Sequence, residues 1–295
     1  MTQFAHLAQR LFNTPLAIHP RKAEIAIGAL AERLGIASMV RMDGSVIRPQ
    51  AWYDEDDVFT RSRDTRADPG YDVLNGVAVL SVTGTLVHRL GSLRPYSGMT
   101  GYDGVRQAYL TAQDDPEVKA IACVYDSGGG EVAGCADLAD TMLDMRGNKP
   151  TWAILSESAY SAAYWLASTA DRVIVPRTGG TGSIGIICMH VDWSEAIAKA
   201  GLKVTFITPD WAERKTDGHA EIPLSAEALK NFQIEIEEMG DLFADAVARS
   251  RGLTTEQVKA LKAGTFMGAA GVAAGLADAV MAPEQAFAAL LAETA

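Results

Sequence analysis

The feature that most constrains this chain is an alternation that begins at Gly76. Residues 77–82, 120–125, 151–155 and 172–175 are short, nearly uninterrupted apolar runs. Between them, residues 101–113, 132–145 and 162–169 carry apolar or small side chains at helical spacing, Val105, Ala108, Tyr109 and Ala112 in the first. Continuous apolar runs suit strands covered on both faces, and strands separated by helices join as parallel neighbours through right-handed crossovers. An α/β fold with a mostly parallel sheet is therefore predicted.

Beyond Pro176 the pattern is less regular. A glycine-rich turn over 178–185 leads into an apolar run, 186–189. A helix is expected over 194–200, a strand over 203–207 and an irregular polar stretch over 208–224. Leu229, Phe232, Ile236, Met239, Leu242 and Val247 mark a long helix over 225–249, and another follows over 254–263, capped by Thr254 or Thr255. Before Gly76, two amphipathic helices are expected over 4–12 and 21–34, broken at 13–15 and 19–20. The acidic run 54–57 and the arginines at 61, 63 and 66 make 37–72 a poor core former. The expected organisation is an N-terminal helical arm (1–36), a linker or mobile surface segment (37–75), the α/β domain (76–283) and a C-terminal helix (284–295).

At 295 residues and 48% hydrophobic content the chain can bury a sizeable core. Its net charge of −11 lacks the basic footprint of a general nucleic-acid binder and disfavours an anionic membrane surface. No window of about 18 apolar residues is present, and no cationic leader precedes an apolar one. Three cysteines without a framework spacing point to a reducing cytoplasm. Metal-ligand spacing is absent, and neither metal nor organic cofactor is expected.

Four stretches can carry chemistry. Asp126-Ser127-Gly128-Gly129-Gly130 ends the second strand, where glycines let backbone approach a ligand and form an anion-binding turn. Ser161 stands between a strand and a helix among Ala159, Ala162 and Ala163, as an N-cap or as a nucleophile that needs a base. Lys215, within the irregular stretch, would serve as that base if buried, because burial disfavours the ammonium form; His219 is the one histidine that competes for the role. Thr181-Gly182-Ser183-Ile184-Gly185 offers a hydroxyl on a turn, for hydrogen bonding to a base or for turn chemistry alone.

Taken in order, these motifs resemble the signal peptide peptidase A (protease IV) type of serine protease, whose core has the ClpP/crotonase-like fold of repeated ββα units. Gly128 replaces the proline of its strand-end turn, and Ala162 and Ala163 replace the glycines after its nucleophile. Residues 181–185 match its T-G-S-I-G motif in full, and 264–268 with 273–278 resemble its tail motif. The opening 7–18 resembles the start of phage and prophage capsid proteases of this type.

The resemblance implies a Ser–Lys dyad peptidase: Ser161 as nucleophile, Lys215 as general base, Ser183 holding the lysine amine, and the N–H groups of Gly129 and Ala162 as oxyanion hole. It implies protein or peptide substrates such as scaffold, portal or minor capsid proteins, cleaved in the host cytoplasm inside a prohead, and assembly as a homo-oligomer. A soluble cellular signal-peptide or oligopeptide peptidase would use the same groups. A crotonase-type acyl-CoA enzyme would share the fold without the dyad, and a non-catalytic scaffold-binding protein would not need it.

Overall fold

A computed structural model describes residues 14–19, the strand pair 39–40 and 46–47, and residues 68–294. The two helices expected over 4–12 and 21–34, and most of the linker expected over 37–75, lie outside the described residues.

The sheets grow from repeated ββα units. In the first two, a first strand enters a large sheet, a short second strand enters a small one, and a helix follows. The first unit is β5 (Val77–Thr83), β6 (Thr85–Val87) and, after β7 (Met99–Gly101), α1 (Tyr102–Asp114). The second is β8 (Ala120–Ser127), β9 (Gly129–Glu131) and α2 (Cys135–Asp144). Then come β10 (Thr151–Ala159) with α3 (Ala162–Ala167), and β11 (Arg172–Val175) with β12 (Gly180–Gly182).

The alternation from Gly76 is thus present as an α/β architecture, with β5, β8, β10 and β11 parallel in the large sheet. An antiparallel edge strand, β4 (Asp72–Leu74), precedes it and turns into β5 through Asn75 and Gly76, both at positive φ. On the other side β10 forks. Its first half pairs with β11, and Ser158 near its end pairs with Gly180 of β12. β12 is flanked in turn by antiparallel β13 (Thr265–Met267), and β11 by β14 (Ala279–Val280). The small sheet runs β1 (Leu16–Ile18), β9, β6, β7.

Alternation along β8 divides the core. Ile121, Cys123 and Tyr125 face a large cluster with Tyr109, Leu138, Met142, Trp165 and Phe243, whereas Ala120 and Ala122 face a smaller one with Trp152, Ala286 and Leu290. The last two belong to α8 (Pro283–Glu293), which covers the second face of the sheet. Phe243, from α5 (Ala226–Arg251), stacks on Trp165 at 4.3 Å between ring centroids. Ser225 caps α5, its Oγ accepting from Ala228 N–H at 3.0 Å. Thr254 caps α6 (Thr255–Ala260) through a reciprocal capping box with Gln257.

One expectation is corrected. Residues 203–207 form no strand and pair with none among the described residues, and Ile207 is 93% exposed. The long helix expected over 225–249 is present as α5; Ala228, Phe243, Ala246 and Val247 are buried along it, whereas Leu229, Ile234 and Leu242 are exposed.

Candidate active site

The site lies beyond the carboxyl ends of β8 and β10, where crevices open in parallel sheets. After β8 the chain must turn at once into β9, and Gly129 does so at φ +95°. A side chain at Gly130 would lie 1.8 Å from the Leu86 carbonyl oxygen, so only glycine permits the β9–β6 approach. Ser127 braces this turn. Its hydroxyl donates to Gly84 O at 2.6 Å and accepts from Gly129 N–H at 3.1 Å.

Ser161 follows β10 through Tyr160, whose N–H donates to Ser127 O at 3.0 Å. It holds φ 55° and ψ −125°, a backbone conformation rare for a residue with a Cβ. Three bonds enforce it: Ser161 N–H donates to Gly182 O (2.9 Å), Ser161 O accepts from Trp165 N–H (2.9 Å), and Ala163 N–H donates to Tyr160 O (3.1 Å). Ser161 is 1% exposed, and its Oγ has no hydrogen-bond partner among the described residues. A buried unpaired hydroxyl costs about 1–3 kcal/mol. Such a group is retained against its cost, which marks it as a functional candidate.

Three of the five residues singled out in the sequence converge. The point a Gly129 Cβ would occupy lies 2.9 Å from Ser161 Cβ and 3.0 Å from Ala162 N. Ala162 is the first residue of α3, where an N–H has no acceptor within the helix. The Gly129 N–H, by contrast, is taken by Ser127 Oγ, a brace not anticipated from the sequence, although Ser127 stood in the motif. Ser183 joins through backbone: it follows Gly182, the acceptor for Ser161 N–H, is buried at φ 55°, and donates its own N–H to Gly264 O at 2.8 Å.

Lys215 stands apart. It lies on a 3₁₀ turn (Glu213–Thr216), exposed rather than buried, because the segment before it has no sheet to join. It lines a cleft of about 750 Å³ with Trp211, Asp217, Asn231, Phe232 and Glu235, and none of the Ser161 constellation lines that cleft. His219 has local neighbours, Glu221 at 3.6 Å and the Phe206 ring at 4.4 Å. Cys123 and Cys135 are not thiolate nucleophiles: burial pushes both thiols up to about 12. Among the described residues no His, Cys, Asp and Glu cluster could hold a metal, and no helix is long and apolar enough to cross a membrane.

The fold and the constellation define a class, α/β proteins that carry a serine on a strained strand-to-helix elbow beside backbone amides. Residues 144–295 match the model of Peptidase family S49, just over half of the sequence, and the chain belongs to that family. Its relatives include the head-tail preconnector protein GP5 of Enterobacteria phage P21, 38% identical over 93% of this chain and 54% of that protein. The capsid assembly protease C of Escherichia phage lambda is 36% identical over 92% of this chain and 62% of that protein. Protease 4 of Haemophilus influenzae is 28% identical over 71% and 33%. The chain therefore spans little more than half the length of the phage relatives it matches. Among solved structures, a ClpP1 mutant of Listeria monocytogenes aligns with 69% of this chain and 90% of its own, at 13% identity and a TM-score of 0.41.

Proposed function

We propose that this chain is a serine endopeptidase that cleaves scaffold, portal or minor capsid proteins during phage or prophage head maturation, in the host cytoplasm within a prohead. The observation that carries the reading is the buried, unpaired Ser161 hydroxyl on its strained backbone, set against Ala162 N–H and Gly129. The names of the two phage relatives support the biological setting.

Ser161 Oγ attacks the scissile carbonyl and passes its proton to the neutral amine of Lys215, which later protonates the leaving amine. Ser183 holds that amine. The N–H groups of Ala162 and Gly129 stabilise the tetrahedral oxyanion, Gly129 turning its donor from Ser127 Oγ toward the developing charge. Water then resolves the acyl-enzyme by the reverse sequence.

The exposure of Lys215 supports a homo-oligomer. Ile187, Trp193, Leu202, Ile207 and Trp211 are exposed on the segment that carries the lysine, Trp211 at 87%. Covering that segment with a second copy buries these side chains and removes the lysine from water, which favours the uncharged amine a general base needs.

The test is cleavage of casein and of a co-expressed scaffold protein by Ser161→Ala and Lys215→Ala. Each is expected to lose cleavage while retaining its fold. Near-normal cleavage by Lys215→Ala, together with loss in His219→Ala, would refute the dyad.

A further inference from the structure

Strand β1 is not part of the ββα repeat, yet it lies across the site just described. It is wedged between two edges. On one, Leu16, Ala17 and Ile18 stand in antiparallel register with Glu131, Gly130 and Gly129 of β9, and His19 N–H donates to Gly128 O at 2.6 Å. On the other, Leu16 and Ile187 exchange both backbone hydrogen bonds, at 2.8 and 2.9 Å. The His19 ring packs against Tyr160, the neighbour of Ser161, at 4.9 Å. All three residues of the strand are buried, Ala17 completely.

An extended peptide held on both edges by main-chain bonds, with side chains alternating into pockets, is how a strand-shaped substrate binds a sheet edge. One carbonyl of β1 can be placed next to the serine. The Ala17 oxygen lies 2.2 Å from the point a Gly129 Cβ would occupy, and Ser161 Cβ and Ala162 N lie 2.9 and 3.0 Å from that same point. The Ala17 carbonyl is therefore beside the candidate nucleophile and the candidate oxyanion donor together. Its side chain is a methyl group, which suits a site packed by Ala159, Ala162 and Ala163.

We propose that the Ala17–Ile18 peptide bond is the chain's own first substrate, cleaved within the same chain. This rests on the reading of Ser161 as nucleophile. Ser161 Oγ adds to the Ala17 carbonyl carbon. The C–N bond to Ile18 breaks, and the serine proton reaches the Ile18 nitrogen through the base. Water then hydrolyses the Ala17 ester, leaving a carboxylate at Ala17, a free amine at Ile18 and the serine restored. With the chain cut, residues 1–17 are held only by non-covalent contacts, and their departure opens the slot between β9 and Ile187 to other extended peptides.

The experiment is intact-mass measurement and N-terminal sequencing of the purified full chain over time, with casein hydrolysis followed in parallel. The expected result is a chain beginning at Ile18, either as purified or after incubation. Ser161→Ala keeps residues 1–17, even when mixed with the unsubstituted protein. Ala17→Phe, which the filled site cannot seat, retains its N-terminus. An unsubstituted chain that keeps residues 1–17 while hydrolysing casein overturns the proposal and leaves the reading of Ser161 standing. Cutting at another bond, or trimming of Ser161→Ala by the unsubstituted protein, overturns it equally. Loss of neither residues 1–17 nor casein removes both.

Discussion

The backbone of Ser161 can be tested apart from its hydroxyl. Ser161→Ala and Ser161→Gly both lack the nucleophile, so neither can hydrolyse a peptide, and the two differ only in a Cβ. At most positions glycine is the less stable of such a pair by about 0.5–1 kcal/mol, because it loses more freedom on folding. At φ 55°, ψ −125° the Cβ is instead a source of strain, and non-glycine residues held in such regions cost about 1–3 kcal/mol. The net expectation reverses the usual order, with Ser161→Gly more stable than Ser161→Ala by about 1 kcal/mol. For a domain of this size that is roughly 2–4 °C in Tm. Thermal and urea unfolding of the two variants, side by side, measure it. If alanine proves the more stable, the elbow is relaxed, and the argument that the fold strains its backbone to hold Ser161 there fails.

Other consequences are measurable with the same instruments. Gly130→Ala places a methyl group 1.8 Å from Leu86 O and is expected to destabilise by roughly 3 kcal/mol, seen as a lowered urea midpoint. Phe243→Ala removes the ring stacked on Trp165 and is expected to cost about 3–5 kcal/mol by the same measurement. Burial by itself raises the Asp278 carboxyl, but bonds from Arg251 (2.8 and 3.0 Å) and Val173 N–H (2.7 Å) more than offset this and hold it below its ordinary value. A carboxyl depressed in the folded state contributes stability that is complete above its unfolded value, about 3.9, and is lost as pH falls through the folded one. Asp278→Asn should therefore lower Tm at pH 7 and flatten the acid limb of the Tm–pH curve below about pH 4.

Much of the fold was legible because buried parallel strands are apolar throughout: 77–82, 120–125, 151–155 and 172–175 each became a strand. The limits have physical causes. The run over 203–207 has strand composition, but a strand also needs a partner, and partners are not written locally. β1, β6 and β9 have three residues each, too short for any periodicity to show, yet β9 and β1 flank the candidate nucleophile. The turn at Gly129 and the small residues around Ser161 could be read because close backbone approach leaves its mark on composition. The exposure of Lys215 could not, since whether a lysine is covered depends on tertiary neighbours that the local sequence does not name.

The fork in β10 has a mechanical consequence. Its first half is locked into the core between β8 and β11, whereas its end is joined to β12, which is flanked by β13. The bond that sets the Ser161 amide, to Gly182 O, therefore belongs to an antiparallel pair in which Thr181 and its partner Phe266 are 85 residues apart, and Ser183 N–H bonds to Gly264 O just before that second arm. A displacement at residues 264–267 is thereby coupled to the Ser161 amide through two backbone bonds, and to the large core cluster through Phe266, so the downstream arm bears on the elbow and on the interior together.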